Sequence, residues 1–259
     1  MEVRSLLTTL SDSLQSVLPR QSYLRYGSGN TNLLITAPHG GNVKPIFFPS
    51  RKNGVLVTDT YTRRLTERLI EVLGDNNRPY YMIADIHRSK VDLNRNKETC
   101  CEHKRAVEIW NQWDYVMTRY VNHMKNKYGK GLYLDIHSHN DSDEFHLGYG
   151  LYSKDLMRLR NNQKVTGSTM DSLGSPRRLI FGKFSFQCTL ENNLFDVFKP
   201  DGKTYFFSGG RNIKVFSGEG IGAIQIECPV SMLKTKSDRN EVAHILAIAI
   251  HEFRKYYMR

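Results

Sequence analysis

The segment Gly129-Lys-Gly-Leu-Tyr-Leu-Asp-Ile-His137 passes from a glycine-rich turn into an apolar run that ends at a histidine. Before it, apolar residues recur at helical spacing and predict a long helix from about Glu98 to Lys127. They are Ala106, Trp110, Trp113, Met117, Tyr120 and Met124. Because glycine ends helices readily, the segment predicts a helix, a sharp turn and then a buried strand over Leu132–Ile136.

Three other apolar runs predict strands of the same sheet: Leu33–Ala37, Tyr80–Ala84 and Ile221–Glu227. Between the first two, helical spacing predicts a helix from about Asp59 to Leu73, with Thr58 as its cap and Gly74 after its end. Strands that alternate with helices are typical of a parallel sheet covered on both faces.

The remaining segments are less regular. Residues 1–20 resemble a short amphipathic lead-in, Gly148–Tyr152 fits a short strand, and Leu179–Val197 fits a helix or a strand equally well. The last helix is expected to start near Asp238, where Asp238 and Glu241 form a variant of the capping box. With no repeat or linker, the sequence predicts one α/β domain over residues 1–259, with a mixed, mostly parallel sheet.

Composition limits the class of protein. A hydrophobic content of 39% and a charged content of 24% are those of an ordinary globular chain. No apolar run approaches the roughly 20 residues of a membrane span, and the first residues lack an apolar signal core, so we expect a cytoplasmic protein without a span. The four cysteines lack metal-knuckle spacing and are expected to be reduced thiols.

The net charge of +11 permits an anionic partner. The basic residues are scattered, however, and no nucleic-acid module is recognisable, so a basic surface or an acidic substrate is favoured over nucleic acid. The sequence does not specify an oligomeric state.

Two histidines follow apolar runs: His39 after the first strand and His137 after Ile136. Ligands bind at the carboxyl ends of parallel strands, so both imidazoles are expected at one site. Zinc uses histidine and carboxylate ligands, and Asp59 is better placed than Glu67 to supply a third. Spacing alone does not choose between His137 and His139, which point to the same side of a strand.

The run Arg88-Ser-Lys-Val-Asp-Leu-Asn-Arg95 suggests a site for a carboxylate, since arginine binds carboxylates through two hydrogen bonds. Asp92 lies among these bases, so a structural ion-pair network is the alternative. Glu227, at the end of its strand, would serve as a general base that moves a proton from water to a leaving nitrogen.

Several of these motifs together resemble the N-formylglutamate amidohydrolase family, which is distantly similar to zinc carboxypeptidases. They are Pro38-His-Gly-Gly41, Thr58-Asp59, Asp85-Ile-His-Arg88, Val91-Asp-Leu-Asn-Arg95, Asp135-Ile-His-Ser-His139, Ser208-Gly-Gly210 and Gln225-Ile-Glu227. The family usually has serine after the first histidine, where this chain has Gly40.

The resemblance implies a zinc site and a substrate site in this chain. The zinc ligands would be His39, Asp59 and His137, with Glu227 as the base. Three side chains would face the substrate carboxylate or the scissile carbonyl: Arg88, Asn94 and Arg95. The loop at Gly209 and Gly210 would approach the substrate backbone.

We therefore expect a zinc-dependent hydrolase that cleaves an amide bond beside a free carboxylate. Its substrate would be an N-acyl amino acid or the acidic C-terminal end of a peptide. The alternative is a non-catalytic protein that uses the fold and its basic surface to bind nucleic acid or an acidic partner.

Overall fold

The computed structural model describes residues 23–258, which form a six-stranded sheet. The strands are β1 (Leu24–Gly27), β2 (Leu33–Ala37), β3 (Tyr80–Ala84), β4 (Gly131–His139), β5 (His146–Gly148) and β6 (Ile221–Pro229). Their spatial order is β1-β3-β2-β4-β6-β5. The four inner strands are parallel and the two edge strands pair antiparallel. The predicted mixed, mostly parallel sheet is confirmed.

Helices cover both faces of the sheet. They are α1 (Thr62–Leu73), α2 (Ala106–Tyr128), α3 (Ser153–Arg160), α4 (Pro176–Phe181), α5 (Phe186–Asn192), α6 (Arg211–Val215) and α7 (Lys236–Tyr257). One apolar core lies between the sheet and α1, α3, α4, α5 and α7, and a second lies between the sheet and α2 and α6. The central strands are buried on both faces, which explains their continuous apolar runs.

Side-chain alternation along β4 places polar groups at one end of the second core. Leu132, Leu134 and Ile136 face the first core, whereas Tyr133 faces the second. Successive residues of a strand point to opposite faces, so Asp135 and His137 follow Tyr133 on the side of α2 and α6. The strand therefore carries apolar packing at its start and chemistry at its carboxyl end.

Two helices begin later than the sequence predicts. Asp59 lies outside α1, which starts at Thr62 after Tyr61 with a positive φ of 66°. The reason is local: the Asp59 amide donates to the His39 carbonyl and the Thr62 hydroxyl donates to the Asp59 carbonyl. Likewise α2 starts at Ala106 rather than near Glu98, because the preceding segment is held by the Asp92 amide, which donates to the Cys100 carbonyl.

Elsewhere the structure adds detail that the sequence left open. Residues 179–197 contain the end of α4 and all of α5, joined and followed by turns. The predicted strand at Gly148–Tyr152 is replaced by β5, and Thr235 with Asp238 forms the capping box of α7 in place of the predicted pair. The lead-in at residues 1–20 lies outside the described residues. None of the described helices is long and apolar enough to cross a membrane. All four cysteines are free thiols.

Candidate active site

Three predicted ligands meet at the carboxyl ends of β2 and β4. His39 follows β2, His137 lies in β4, and Asp59 reaches them from the loop before α1. His137 Nδ1 is 2.7 Å from Asp59 Oδ2 and 3.2 Å from His39 Nδ1, and the third side of the triangle, from His39 Nδ1 to Asp59 Oδ2, measures 3.4 Å. All three side chains are buried.

A second carboxylate holds each imidazole from behind. His39 Nε2 donates to Asp92 Oδ1 at 2.7 Å, and His137 Nε2 donates to Asp135 Oδ2 at 3.1 Å. Asp135 is fixed in turn by the Thr36 hydroxyl. A proton on Nε2 leaves the lone pair of Nδ1 free, so both rings present an unprotonated nitrogen to the same point.

The electrostatics of this cluster favour a bound cation. Burial opposes ionisation of Asp59 and Asp92, but neighbouring histidines, with Arg88 and Arg51 at Asp92, hold the pKa of both carboxyls well below its usual range. Burial alone lowers the pKa of His137, but Asp135 and Asp59 outweigh it and raise that pKa well above its ordinary value. The site therefore concentrates negative charge around the two imidazoles, an environment that favours a cation.

The donor set fits zinc. A tetrahedral zinc ion with bonds near 2.0–2.1 Å separates its ligand atoms by about 3.3 Å. The three separations of 2.7, 3.2 and 3.4 Å lie around that value without movement of the backbone. Two imidazoles and one carboxylate are also a common catalytic set, in which a fourth position stays open.

Glu227 lies beside this cluster because of the strand register. It is the neighbour of His137 in the parallel pair β4–β6, and Nε2 of the Gln225 side chain donates to Glu227 Oε1 at 2.8 Å. Burial raises the pKa of Glu227 to about 7, and Asp59 contributes in the same direction. A carboxyl group with a pKa near neutrality can both accept and release a proton, as general acid–base chemistry requires.

The two arginines of the predicted carboxylate-binding run differ in their contacts. Arg88 bridges two acids, with Nη1 at 3.0 Å from Asp59 Oδ1 and Nε at 3.2 Å from Asp92 Oδ2. The Arg95 side chain is 48% exposed, and its Nε lies 3.7 Å from Asp92 Oδ2. The ion-pair network that the sequence left as an alternative is thus present around Asp92, while Arg95 keeps a guanidinium that reaches solvent.

Asn94 connects this run to the glycine loop. Its Oδ1 accepts from the Asn212 amide at 2.8 Å, which leaves the Nδ2 group beside His137. Gly210 packs directly on the Asn94 side-chain amide, so a Cβ there would collide, and its own amide donates to Gln225 Oε1 at 2.7 Å. The loop predicted to approach the substrate therefore forms one wall of the site.

The structure also separates the two histidines that spacing could not. His139 Nε2 donates to the Glu144 carbonyl at 3.0 Å, and its Nδ1 accepts from the Asp141 amide at 3.2 Å. Both ring nitrogens are thus engaged by the following loop, whereas His137 joins His39 and Asp59. The structure also explains why glycine is present at position 40, because a Cβ there would lie 2.6 Å from the Arg63 amide nitrogen.

These residues line a cavity of about 1370 Å³. It contains every residue predicted for the site, with Glu227 and the three candidate ligands among its walls. The predicted substrate residues Arg88, Asn94, Arg95, Gly209 and Gly210 line the same space.

Comparison with solved structures identifies the fold. The N-formylglutamate amidohydrolase from Ralstonia eutropha JMP134 superposes with a TM-score of 0.58 at 14% identity, covering 91% of this chain and 98% of that chain. This chain has the same fold. A gene product from Agrobacterium tumefaciens gives a TM-score of 0.62 at 11% identity, covering 90% and 95%. The predicted resemblance is confirmed for the fold.

The sequence comparisons contribute nothing further, because no family model and no curated protein matches the chain. At these sequence identities, the comparison shows that this chain and the two solved structures have the same fold. Activity has to be argued from the residues of the site itself.

Sequence reasoning did not assign several residues that shape this site. Arg51 is buried and its Nη1 lies 3.2 Å from Asp92 Oδ2, and Gln225 holds both Glu227 and Gly210. Tyr205 lies on the cavity wall. Burial raises the pKa of the Tyr205 hydroxyl group, and the nearby Glu227 carboxylate raises it further. Gln225 carried a usable signal, since it lies two residues before Glu227 and so on the same face of the strand.

Proposed function

We propose that this protein is a zinc-dependent hydrolase that cleaves an amide bond next to a free carboxylate. One observation carries the proposal: His39, Asp59 and His137 present three ligand atoms at zinc-like separations beside the buried Glu227. The shared fold with an amidohydrolase agrees with hydrolysis but does not identify the substrate.

His39, Asp59 and His137 would hold the ion, and Asp92 and Asp135 would keep the two imidazoles in the correct tautomer. When bound, zinc supplies a Lewis acid that activates water and polarises a carbonyl group. Glu227 takes the proton of the attacking water at Oε2, since Oε1 is held by Gln225, and delivers it to the leaving nitrogen.

Arg95 and Asn94 hold the substrate. The Arg95 guanidinium offers a planar fork for the free carboxylate, and Asn94 Nδ2 donates to the scissile carbonyl as negative charge develops on it. Arg88 is already bonded to Asp59 and Asp92, so its contribution is to position these acids and to add positive charge. The substrate is an N-acyl amino acid or the acidic C-terminal end of a peptide.

The test combines metal analysis with a substrate screen. Purified protein should contain about one zinc ion per chain, the complement of a three-ligand site. The zinc-loaded protein should release amine from N-acyl amino acids or peptides with a free carboxylate, and lose this activity with a chelator. Protein that neither retains zinc nor cleaves such substrates would contradict the proposal and favour the non-catalytic binding protein.

A further inference from the structure

The mouth of the cavity carries two lysines in addition to Arg95, which the proposed carboxylate site already uses. Arg95, Lys154 and Lys214 are exposed there, on the loop after β3, at the start of α3 and in α6. Among the described residues, neither lysine has an ion-pair partner, and Arg95 has a distant one at 3.7 Å. Asp141 is the one acidic residue on the described cavity wall apart from the buried Asp59 and Glu227.

The same mouth exposes apolar side chains. Tyr205 is 70% exposed, and four other exposed apolar side chains line the cavity: Val55, Val57, Tyr152 and Val215. Large apolar groups gathered at a concave site, mixed with cations, indicate a binding surface. Solvent-facing tyrosine and valine suit the side chains of a chain-like ligand better than a single small acid.

The size of the cavity supports this view. Pockets for single small molecules measure about 300–1,000 Å³. The cavity here is about 1370 Å³, and its inner end already contains the ligand cluster with Asn94 beside it. A free N-acyl amino acid would occupy the inner end and leave Lys154 and Lys214 without a ligand.

Two structural links show that the mouth is built together with the inner site. The segment that carries Tyr205 is tied to the start of α3, because the Gly202 amide donates to the Ser153 hydroxyl at 2.8 Å. On the other wall, the Asn212 amide in α6 donates to Asn94 Oδ1. Lys214 is therefore carried by a helix bonded to Asn94 of the inner site, and Lys154 by a helix bonded to the segment of Tyr205.

We propose that the substrate is an extended peptide with acidic side chains, which Lys154 and Lys214 bind beyond the position of the cleaved amide bond. This inference rests on the proposed hydrolase function and specifies its substrate class. Each exposed ion contact contributes about twofold to fivefold in affinity, so two contacts should give a preference of about fourfold to twenty-five-fold for the acidic peptide.

The probe is an N-acetylated peptide with glutamates and a free C-terminal carboxylate, and its control has glutamine in place of each glutamate. Dissociation constants are measured by calorimetry on the zinc-loaded Glu227→Gln variant, so that binding does not depend on turnover. We expect the acidic peptide to bind about fourfold to twenty-five-fold more tightly, with the difference shrinking as salt is added.

The matched variants separate a local effect from a net-charge effect. Lys154→Gln with Lys214→Gln should abolish the preference, and each single substitution should reduce it. Lys164→Gln with Lys236→Gln removes the same charge from exposed positions outside the cavity and should preserve the preference. Equal affinity for the two peptides, or the same loss in both double variants, would overturn the inference.

Turnover distinguishes this failure from failure of the proposed function. If the wild-type protein cleaves short N-acyl amino acids and both peptides equally well, hydrolysis stands and the acidic-peptide inference falls. If the acidic peptide is preferred in binding but nothing is cleaved, the binding site stands and the hydrolase proposal falls.

Discussion

Replacing Asp92 by asparagine should weaken zinc binding and folding together. The Asp92 carboxylate is fully buried and meets His39 Nε2 at 2.7 Å and Arg51 Nη1 at 3.2 Å. Asparagine keeps the shape but removes the charge, and its single acceptor oxygen cannot serve both partners. Loss of a carboxylate behind a ligating histidine lowers metal affinity by about 10-fold to 100-fold.

The stability change follows mainly from Arg51, because Arg88, the other arginine bonded to Asp92, keeps Asp59 as a partner. Breaking a buried ion pair costs about 3–5 kcal/mol, because the remaining charge is uncompensated. Arg51 also donates to the carbonyls of Asn53, Val55 and Arg88, which reduces this penalty, so we expect about 2–3 kcal/mol. At about 2–4 °C per kcal/mol, the melting temperature of metal-free protein should fall by about 5–10 °C.

Asp135→Asn is the matched control, because Asp135 is equally buried and supports the other imidazole. It also accepts from the Thr36 hydroxyl, which can reorient, and among residues 23–258 its ion-pair partner is His137 and no arginine. Zinc affinity should fall by a similar factor, whereas the loss of stability should stay near about 1 kcal/mol. Zinc affinity is measured by competition with a chelator. Unchanged affinity in Asp92→Asn, or equal melting temperatures for the two variants, would refute this reasoning.

Three further predictions concern the base, the carboxylate site and the choice of ligand. Glu227→Gln should bind zinc and melt normally but lose about a hundredfold or more in rate, and retained activity in the variant would argue against the role. Because the base must be ionised and burial raises its pKa to about 7, wild-type activity should decline as pH falls through about 7. Arg95→Lys should lower kcat/KM by a factor equivalent to a loss of about 1–3 kcal/mol in transition-state stabilisation. Equal turnover of substrates with a free carboxylate and of substrates with an amide in its place would contradict a carboxylate site. His137→Ala should lose most zinc whereas His139→Ala should retain it, as metal analysis would show, and the reverse result would reassign the ligand.

The sheet could be predicted because its strands are buried on both faces. Such strands appear in the sequence as uninterrupted apolar runs, and the residue that follows each run lies at the edge where ligands bind. His39 and Glu227 were found in this way, at the ends of β2 and β6. Strand register then brings His137 next to Glu227 without any information from the loops.

The loops could not be predicted in the same detail, because their conformation depends on contacts distant in sequence. Asp59 was placed in a helix, but a hydrogen bond to the His39 carbonyl holds it outside. Arg51 gave no periodic signal, and its role depends on a contact with Asp92, which lies 41 positions further along the chain, beyond α1 and β3. A buried ion pair of this kind is visible only once the chain is folded.

The division between sheet and loops also indicates which parts of the site can change with the substrate. His137 and Glu227 are adjacent in a nine-residue strand pair, so a one-residue slip would turn every side chain of β6 to the other face of the sheet and take Glu227 away from the ligands. The separation of ligand and base is thus fixed by the same packing that stabilises the core. Lys154 and Lys214 lie on short helices outside the sheet, where substitution leaves that register intact. Chemistry and specificity are therefore under separate structural control, and variants at the mouth should alter which peptide is bound without altering how the amide bond is cleaved.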